Sequence, residues 1–214
     1  MEQNMEGKTV YFSKPGIKNT EEVLRIAKHR AEELGIKTIL VASNNGYTAT
    51  RAVKVFEGMR VVVVRSLRTG SWTNKDKKKV ESKGGIVYSG THVFQGLDTA
   101  VRWKFDMHLT SDIVTNTLRI FSEGIKVVCE ISMMATDAGL VNCDEDIIVI
   151  AGTHRGADTA VVLRPVHTTD FFDLRIKELL CKPYLSPPHA SAHNRIEPDS
   201  LYGKRTKMKS AETR

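Results

Sequence analysis

A polar turn, Ser43-Asn44-Asn45-Gly46, has the residue types best suited to binding a ligand. It follows an apolar segment, residues 38–42, that predicts a buried strand, and it precedes a helical pattern over residues 47–56. A glycine-containing turn that opens a helix presents backbone N–H groups and the positive end of the helix dipole, and both favour a phosphate. The predicted phosphate site at this turn consists of Ser43, Asn44, Asn45, Gly46, Tyr47 and Thr48.

A second polar loop, residues 152–158, joins the last two apolar segments. If the strand before it neighbours the strand over residues 38–42, both loops flank one crevice at the carboxyl ends of the strands. The loop and its exit offer the charge of Arg155, close backbone approach at Gly156, and the hydroxyl groups of Thr153 and Thr159.

Lys14 stands before Pro15-Gly16 at the end of the first predicted strand, where its ammonium group could reach the same anion. The chain contains neither GxxxxGK[ST] nor GxGxxG, so a phosphate site here is not of the Walker or dinucleotide type. The alternative is that both loops are ordinary polar connections.

Other residues of catalytic type are less well supported by their spacing. Glu130 and Asp137 share one edge of a predicted helix, which suggests an acid and base pair, although carboxylates at such a border are commonly solvated. A metal site built from His92, His154, His167 and Asp158 has no HxH or HExxH spacing in its favour, and we expect no metal. No G-x-S-x-G motif makes Ser43 a nucleophile, so no catalytic residue is identified. Tyr47 and Trp72 are candidates to stack on an aromatic ligand.

Strand and helix patterns alternate along the chain and predict an α/β fold. We expect a mostly parallel mixed sheet with helices on both faces. The seven-residue link over 152–158 is too short for a parallel crossover, so the last two strands should be antiparallel neighbours at one edge. Helices are predicted over residues 20–34, capped by Asn19 and Glu22, over 110–123 and over 125–138, and residues 169–180 form a closing segment.

The composition is that of a soluble globular protein: 214 residues, 41% hydrophobic and 27% charged, with a formal net charge of +7. No apolar run approaches the roughly 20 residues of a membrane span, so we expect a cytoplasmic protein without membrane contact. Cys129, Cys143 and Cys181 read as reduced core thiols. We expect one α/β domain over residues 1–185 and a basic, disordered tail over residues 186–214 that solubilises the chain; nucleic-acid binding by this tail is the less favoured alternative.

Four segments are similar to a known family: YFSKPGIKNTEEVLRIA, VASNNGYTA, GIKVVCEISMMATDAG and AGTHRGADTAVVLRPVHTTDFFD. They resemble stand-alone archaeal and bacterial proteins related to the C-terminal domain of pyruvate kinase, over about residues 10–183. The resemblance implies a three-layer α/β/α sandwich whose mixed five-stranded core sheet has its last strand antiparallel. It also implies that the strands over 38–42 and 146–151 are neighbours.

In pyruvate kinases the corresponding loops hold the phosphates of a sugar-bisphosphate effector, and the stand-alone relatives resemble flavin mononucleotide (FMN) binders. The positions carried over are Ser43, Asn44, Gly46, Thr48, Arg155 and Gly156. The catalytic barrel of pyruvate kinase has no counterpart in 214 residues, so phosphoenolpyruvate chemistry is not implied. The loop over residues 66–74 and the tail lie outside the resemblance.

Our first hypothesis is a domain that binds a phosphorylated cofactor, FMN, with a redox role that would follow from the cofactor. The second is a non-catalytic regulatory module that senses a sugar phosphate or nucleotide. The expected partner is a small phosphorylated ligand, and self-association as a homo-oligomer is left open.

Overall fold

The computed structural model describes residues 6–67 and 71–185. The predicted tail over residues 186–214 lies outside the described residues. Within them, no helix combines the length and the apolar character that crossing a membrane requires.

One seven-stranded sheet has the order β1-β7-β6-β5-β2-β3-β4. Its strands are β1 (Val10–Phe12), β2 (Thr38–Ala42), β3 (Arg60–Ser66), β4 (Ile86–Gly90), β5 (Ile147–Ala151), β6 (Thr159–Arg164) and β7 (Arg175–Pro183). The helices are α1 (Thr20–Leu34), α2 (Tyr47–Val55), α3 (Asn74–Glu81), α4 (Gly96–Phe105), α5 (Thr110–Arg119) and α6 (Glu123–Asp137).

The predicted fold class is confirmed: the sheet is mostly parallel, and β6 runs antiparallel to both of its neighbours. Strand β2 lies between β3 and β5, as the resemblance implied. The sheet extends beyond the expected five strands, because residues 175–183 of the closing segment form β7 and pair with both β6 and β1. Strand β6 is therefore internal and is not the edge of the sheet.

The alternation of β2 explains why both faces of the sheet are covered. Ile39 and Val41 join the cluster beneath α1 and α2, whereas Leu40 joins the cluster beneath α6. Successive side chains of a strand point to opposite faces, so a continuous apolar run requires helices on both sides.

Several local predictions need correction. Asn19 does not cap α1 with its side chain, because its amide donates to the Lys14 carbonyl at 2.8 Å and Glu22 pairs with Arg25 instead. Helix α5 ends at Arg119, four residues early, and Ser122 then caps α6 by accepting a bond from the Ile125 N–H at 3.0 Å.

Two of the three cysteines are core thiols as predicted. Burial raises the pKa of the Cys129 and Cys181 thiols to about 12, which keeps both groups unreactive. Cys143 is exposed, contrary to the expectation that all three lie in the core.

Candidate functional site

A cleft of about 780 Å³ lies at the carboxyl ends of β2, β3 and β5. The winding of the sheet reverses between β2 and β5, since β3 and β4 follow on one side and β6 on the other. Open α/β sheets bind ligands at such a reversal. Both polar loops identified from the sequence border the cleft, together with the start of α6 and the end of β7.

The turn after β2 is held by its own side chains. Asn45 Oδ1 accepts a bond from the Tyr47 N–H at 3.1 Å, and Ser43 Oγ accepts one from the Ala49 N–H at 3.3 Å. Two of the first amides of α2 are thereby engaged. The helix terminus therefore offers fewer free donors to an anion than the sequence pattern suggested.

Gly46 adopts the left-handed backbone that the Asn-Gly pair predicts, with φ of 78°. A β-carbon at this position would meet Asp76 Cβ of α3 at 3.2 Å. A side chain at position 46 would therefore project toward α3. Gly46 shapes the turn from the side that faces α3.

The segment after β3 is fastened to the same turn. The Trp72 indole N–H donates to the Ser43 carbonyl at 2.7 Å, and the Ser71 N–H donates to the Asn44 carbonyl at 2.8 Å. Asn44 Oδ1 accepts a bond from the Ser66 N–H at 2.9 Å. Trp72 consequently holds the turn in place and packs against the core, and it does not line the cleft.

The loop between β5 and β6 is organised by the buried carboxylate of Asp158. Its Oδ2 accepts bonds from the Thr153 N–H at 3.0 Å and the Gly16 N–H at 2.8 Å, and its Oδ1 accepts one from Thr159 Oγ1 at 2.9 Å. Asp158 is thus occupied with backbone and hydroxyl donors. Within residues 6–67 and 71–185, no group of three or more His, Cys, Asp or Glu residues is arranged to hold a metal ion.

Arg155 and His154 lie at the exposed tip of this loop and both line the cleft. The Arg155 guanidinium lies 5.5 Å from the centroid of the Tyr47 ring, while Arg51 lies over the same ring at 3.6 Å. Arg51 therefore covers the Tyr47 ring, and Tyr47 does not line the cleft. His154 has φ of 61°, a left-handed conformation that is uncommon for a residue other than glycine and points to a constrained loop.

The structure brings together most of the residues predicted from the two loops. Those that line the cleft are Ser43, Asn44, Asn45, Thr48, Thr153, Arg155 and Gly156. Those that do not are Lys14, Gly46, Tyr47 and Thr159. Lys14 is exposed, and Thr159 is fully buried behind Asp158 and packs against the backbone of Gly124.

The inner wall contains a buried charge cluster that sequence reasoning did not assemble. Lys126 Nζ lies 2.5 Å from Glu130 Oε2, with the side chains 3% and 0% exposed. His92 Nδ1 lies 2.7 Å from the same oxygen, and both Lys126 and His92 line the cleft. The available signal was a lysine and a glutamate four residues apart on an otherwise apolar helix, GIKVVCEISMMA.

The environment of Glu130 keeps it ionised. Desolvation by burial raises its pKa, but the close polar contacts and the charges of His92 and Lys126 outweigh that effect, so the pKa lies below its ordinary value. Glu130 is therefore a buried carboxylate that carries its charge at neutral pH.

The proposed acid and base pair of Glu130 and Asp137 does not form a site. Asp137 is on the exposed end of α6, where it accepts bonds from the Thr168 N–H at 3.1 Å and from Thr168 Oγ1, and where it contacts His167 Nδ1 at 3.0 Å. Desolvation raises the pKa of Asp137, but these bonds outweigh it and the pKa is lowered. This surface is distinct from the cleft.

Further cations border the cleft on other elements: Arg65 of β3, Arg119 at the end of α5 and Lys182 of β7. Arg119 Nε is paired with Glu123 at 2.6 Å. Phe121 and Tyr184, which are 58% and 68% exposed, add aromatic surface at the rim. The cleft therefore combines positive charge, hydroxyl and amide groups, and exposed rings.

Comparison with known proteins agrees with this architecture. A family model described as pyruvate kinase, alpha/beta domain, matches residues 21–163, which is more than half of the chain. Similar solved structures include a pyruvate kinase from Cryptosporidium parvum, at 13% identity and a TM-score of 0.37 over 69% of this chain and 23% of that one. Another is Cryptosporidium parvum pyruvate kinase in complex with ADP, at 12% identity and a TM-score of 0.36 over 69% of this chain and 24% of that one. The chain spans about a quarter of the length of these kinases. By the family match, this chain is a member of the pyruvate kinase alpha/beta domain family.

Proposed function

We propose that the cleft binds a small phosphorylated ligand and that this ligand is a phosphorylated aromatic cofactor, FMN. The cleft volume lies within the roughly 300–1,000 Å³ that small-molecule sites occupy. Polar groups converge on it from two loops, and the basic side chains of Arg65, Lys126, Arg155 and Lys182 line it.

The observation that carries the proposal is a pair of buried donors at the cleft. Thr153 Oγ1 and Arg65 Nε have no hydrogen-bond partner among the described residues. Burying such groups without a partner costs free energy, so an acceptor supplied by a ligand would stabilise both. Phosphate oxygens are suitable acceptors, particularly for a guanidinium.

The phosphate would bind closer to the β5–β6 loop than to the first amides of α2. Thr48 and Thr153 present hydroxyl groups, and Arg155 is exposed and adjacent. The first amides of α2 are partly taken by Asn45 and Ser43. Phe121 and Tyr184 offer exposed rings to the aromatic part of the ligand.

A bound flavin would supply the capacity for electron transfer, and the chain would supply orientation and positive charge. Arg65, Thr153 and Arg155 would hold the phosphate. Lys126 and His92, with Glu130 buried behind them, would form the polar end of the site.

The first test is to record the visible absorbance of the purified protein and to identify its bound small molecules by mass spectrometry. If FMN is the ligand, the protein has flavin absorbance bands or acquires them on reconstitution, and titration quenches flavin fluorescence saturably. Thr153→Val should weaken FMN binding about tenfold, as expected for loss of a buried hydrogen bond. Thr110→Val, on the exposed first turn of α5, is the control that should bind normally. Absence of saturable FMN binding would contradict the proposal.

A non-catalytic regulatory module that senses a sugar phosphate or a nucleotide is the second candidate. The hydroxyl and amide groups of Ser43, Asn44 and Asn45 along one wall favour a hydroxylated ligand. This candidate predicts a colourless protein that binds ribose 5-phosphate or a nucleotide calorimetrically. Thr153→Val should weaken that binding as well, so the absorbance of the ligand distinguishes the two candidates.

A further inference from the structure

The inner wall of the cleft pairs an imidazole with a fully buried carboxylate. Glu130 is 0% exposed, and its Oε2 contacts both Lys126 Nζ at 2.5 Å and His92 Nδ1 at 2.7 Å. The contact does not meet hydrogen-bond geometry, since His92 Nδ1 has no hydrogen-bond partner among the described residues. His92 is 20% exposed and lines the cleft, whereas Glu130 does not.

The orientation of His92 leaves its second nitrogen for a ligand. Because Nδ1 faces Glu130, Nε2 is the ring nitrogen that remains to exchange a proton with the cleft. A carboxylate at Nδ1 fixes the tautomer of an imidazole and stabilises its protonated form, which is the arrangement that general acid and base catalysis requires.

Burying this cluster costs free energy that a purely structural role would not require. Removing two ions from water costs several kcal/mol per ion, and a buried ion pair is often no more stabilising than apolar side chains of similar volume. Glu130 Oε1 in addition has no hydrogen-bond partner among the described residues. The other buried side chains of α6 are apolar or carry only a hydroxyl group, so an aliphatic pair would have packed there at lower cost.

We propose that His92 is the proton-exchanging residue of the cleft, with Glu130 positioning its ring and Lys126 balancing the carboxylate. The ligand class is a phosphorylated compound that also carries an ionisable N–H or O–H group, and in this respect the inference rests on the proposed function. The proton leaves that group as the N–H or O–H bond breaks, and it bonds to Nε2, so the ligand becomes an anion and His92 an imidazolium. Glu130 stays ionised throughout, and the reverse step returns the proton.

Other charged groups face the same cleft and will influence the protonation of His92. They come from β3, α5, the start of α6, the β5–β6 loop and β7: Arg65, Arg119, Glu123, His154, Arg155 and Lys182. Among these, Glu123 is paired with Arg119 at 2.6 Å. Glu130 differs from all of them because it contacts the His92 ring directly.

The test is chemical modification of His92 followed across pH in the protein without added ligand. Diethyl pyrocarbonate acylates the unprotonated ring nitrogen of histidine, and peptide mass mapping measures the rate at each site. We expect His92 to be modified, with a rate that rises with pH around a midpoint. In Glu130→Gln that midpoint should fall by about one pH unit or more, because a neighbouring negative charge favours the imidazolium by that amount. His108, whose side chain is 79% exposed, is the internal reference whose profile should not change.

A second variant guards against misfolding of Glu130→Gln. Lys126→Met with Glu130→Leu removes both buried ions together. It should still lower the midpoint, but by less than Glu130→Gln, because the carboxylate in contact with His92 is lost while the opposing charge of Lys126 is removed as well. Resistance of His92 while His108 reacts, or an identical midpoint in the parent and the folded variant, would overturn the proposal. Saturating FMN should protect His92; lack of protection would count against the flavin, and the midpoint comparison would still decide the role of His92.

Discussion

The backbone N–H of Gly16 donates to Asp158 Oδ2 at 2.8 Å, across 142 positions of the sequence. The same oxygen accepts the Thr153 N–H at 3.0 Å, so one carboxylate joins the connection after β1 to the loop that borders the cleft. The Ala157 N–H reinforces this junction by donating to Thr20 Oγ1 at 3.0 Å. The shape of the β5–β6 loop is therefore set by the first helix as well as by its own strands.

Asp158→Asn should loosen that junction. An asparagine side chain turns an N–H₂ group toward one of the backbone donors, so at least one buried donor loses its acceptor. We expect a loss of about 1–3 kcal/mol in the free energy of unfolding, measured by urea denaturation, and weaker ligand binding. Asp144→Asn, at an exposed position, makes the same chemical change and should alter neither quantity. Unchanged stability of Asp158→Asn would show that the junction is dispensable.

Gly156→Ala should distort the loop through a direct clash. A β-carbon there would lie 2.5 Å from Ile17 Cα, and φ is 80°. Gly139→Ala is the matched control, because its φ of 66° imposes similar backbone strain while its β-carbon meets nothing within 4 Å. The control should cost about 1–2 kcal/mol from left-handed strain alone. Gly156→Ala should cost more, and it alone should reduce FMN affinity in a fluorescence titration. If Gly156→Ala and Gly139→Ala lost the same unfolding free energy and the same FMN affinity, the close approach of Gly156 to Ile17 would be contradicted.

Arg155→Ala should weaken binding of the phosphorylated ligand without affecting the fold. A charge-assisted contact is worth about 1.5–3 kcal/mol, or roughly ten- to a hundredfold in affinity. Stability should be nearly unchanged, because Arg155 is exposed and its guanidinium lies 5.5 Å from the centroid of the Tyr47 ring. Lys37→Ala removes the same charge beside the opposite end of β2 and should leave affinity intact. Equal titration curves for parent and Arg155→Ala would remove Arg155 from the site.

The fold followed from the sequence because its signals are local. The apolar runs of β2, β3 and β5 and the periodicity of α1 and α6 indicate their own structures, and the short link after β5 dictates an antiparallel β6. Strand β7 was missed because its pairing with β1 joins residues 171 positions apart, such as Val10 and Cys181. Nothing local distinguishes that segment from a closing loop.

The two cleft loops were likewise identifiable, since turn residues after buried strands mark the carboxyl edge of a sheet. The direction of each side chain was not. Tyr47 and Thr159 adjoin the two cleft loops, but their side chains do not line the cleft. The Tyr47 ring lies near Arg155, and Thr159 donates a hydrogen bond to Asp158. The four-residue spacing of Lys126 and Glu130 on α6 could have indicated their pairing. His92 comes from a separate segment that meets α6 only in the folded protein, so its contact with Glu130 could not be inferred from spacing.

Gly46→Ala tests the corrected geometry of the first turn. Its φ of 78° predicts a cost of about 1–2 kcal/mol in unfolding free energy, and crowding of Asp76 at 3.2 Å should add to that by disturbing the start of α3. Because the new methyl group points toward α3 and away from the cleft, FMN affinity should fall by less than about tenfold. Gly58→Ala, with φ of 81° and no atom within 4 Å of its β-carbon, isolates the strain. If Gly46→Ala abolished FMN binding while its stability was retained, and Gly58→Ala did not, the phosphate would have to bind at the face of the turn that the new methyl group occupies.

Lys126→Met should be strongly destabilising because it leaves Glu130 buried with one counter-ion. Loss of one partner from a buried pair costs about 3–5 kcal/mol, whereas replacing both ions by apolar side chains is often neutral or stabilising. In urea denaturation at pH 7, Lys126→Met should therefore be much less stable than Lys126→Met with Glu130→Leu. The pH dependence follows from the lowered pKa of Glu130: its contribution is complete above the ordinary value of 4.5 and is lost as the pH falls through the lower folded value. The parent should consequently lose more stability than the double variant on acidification below pH 4.5. If the free energy of unfolding fell equally in these two proteins below pH 4.5, Glu130 would not be held ionised by Lys126 and His92.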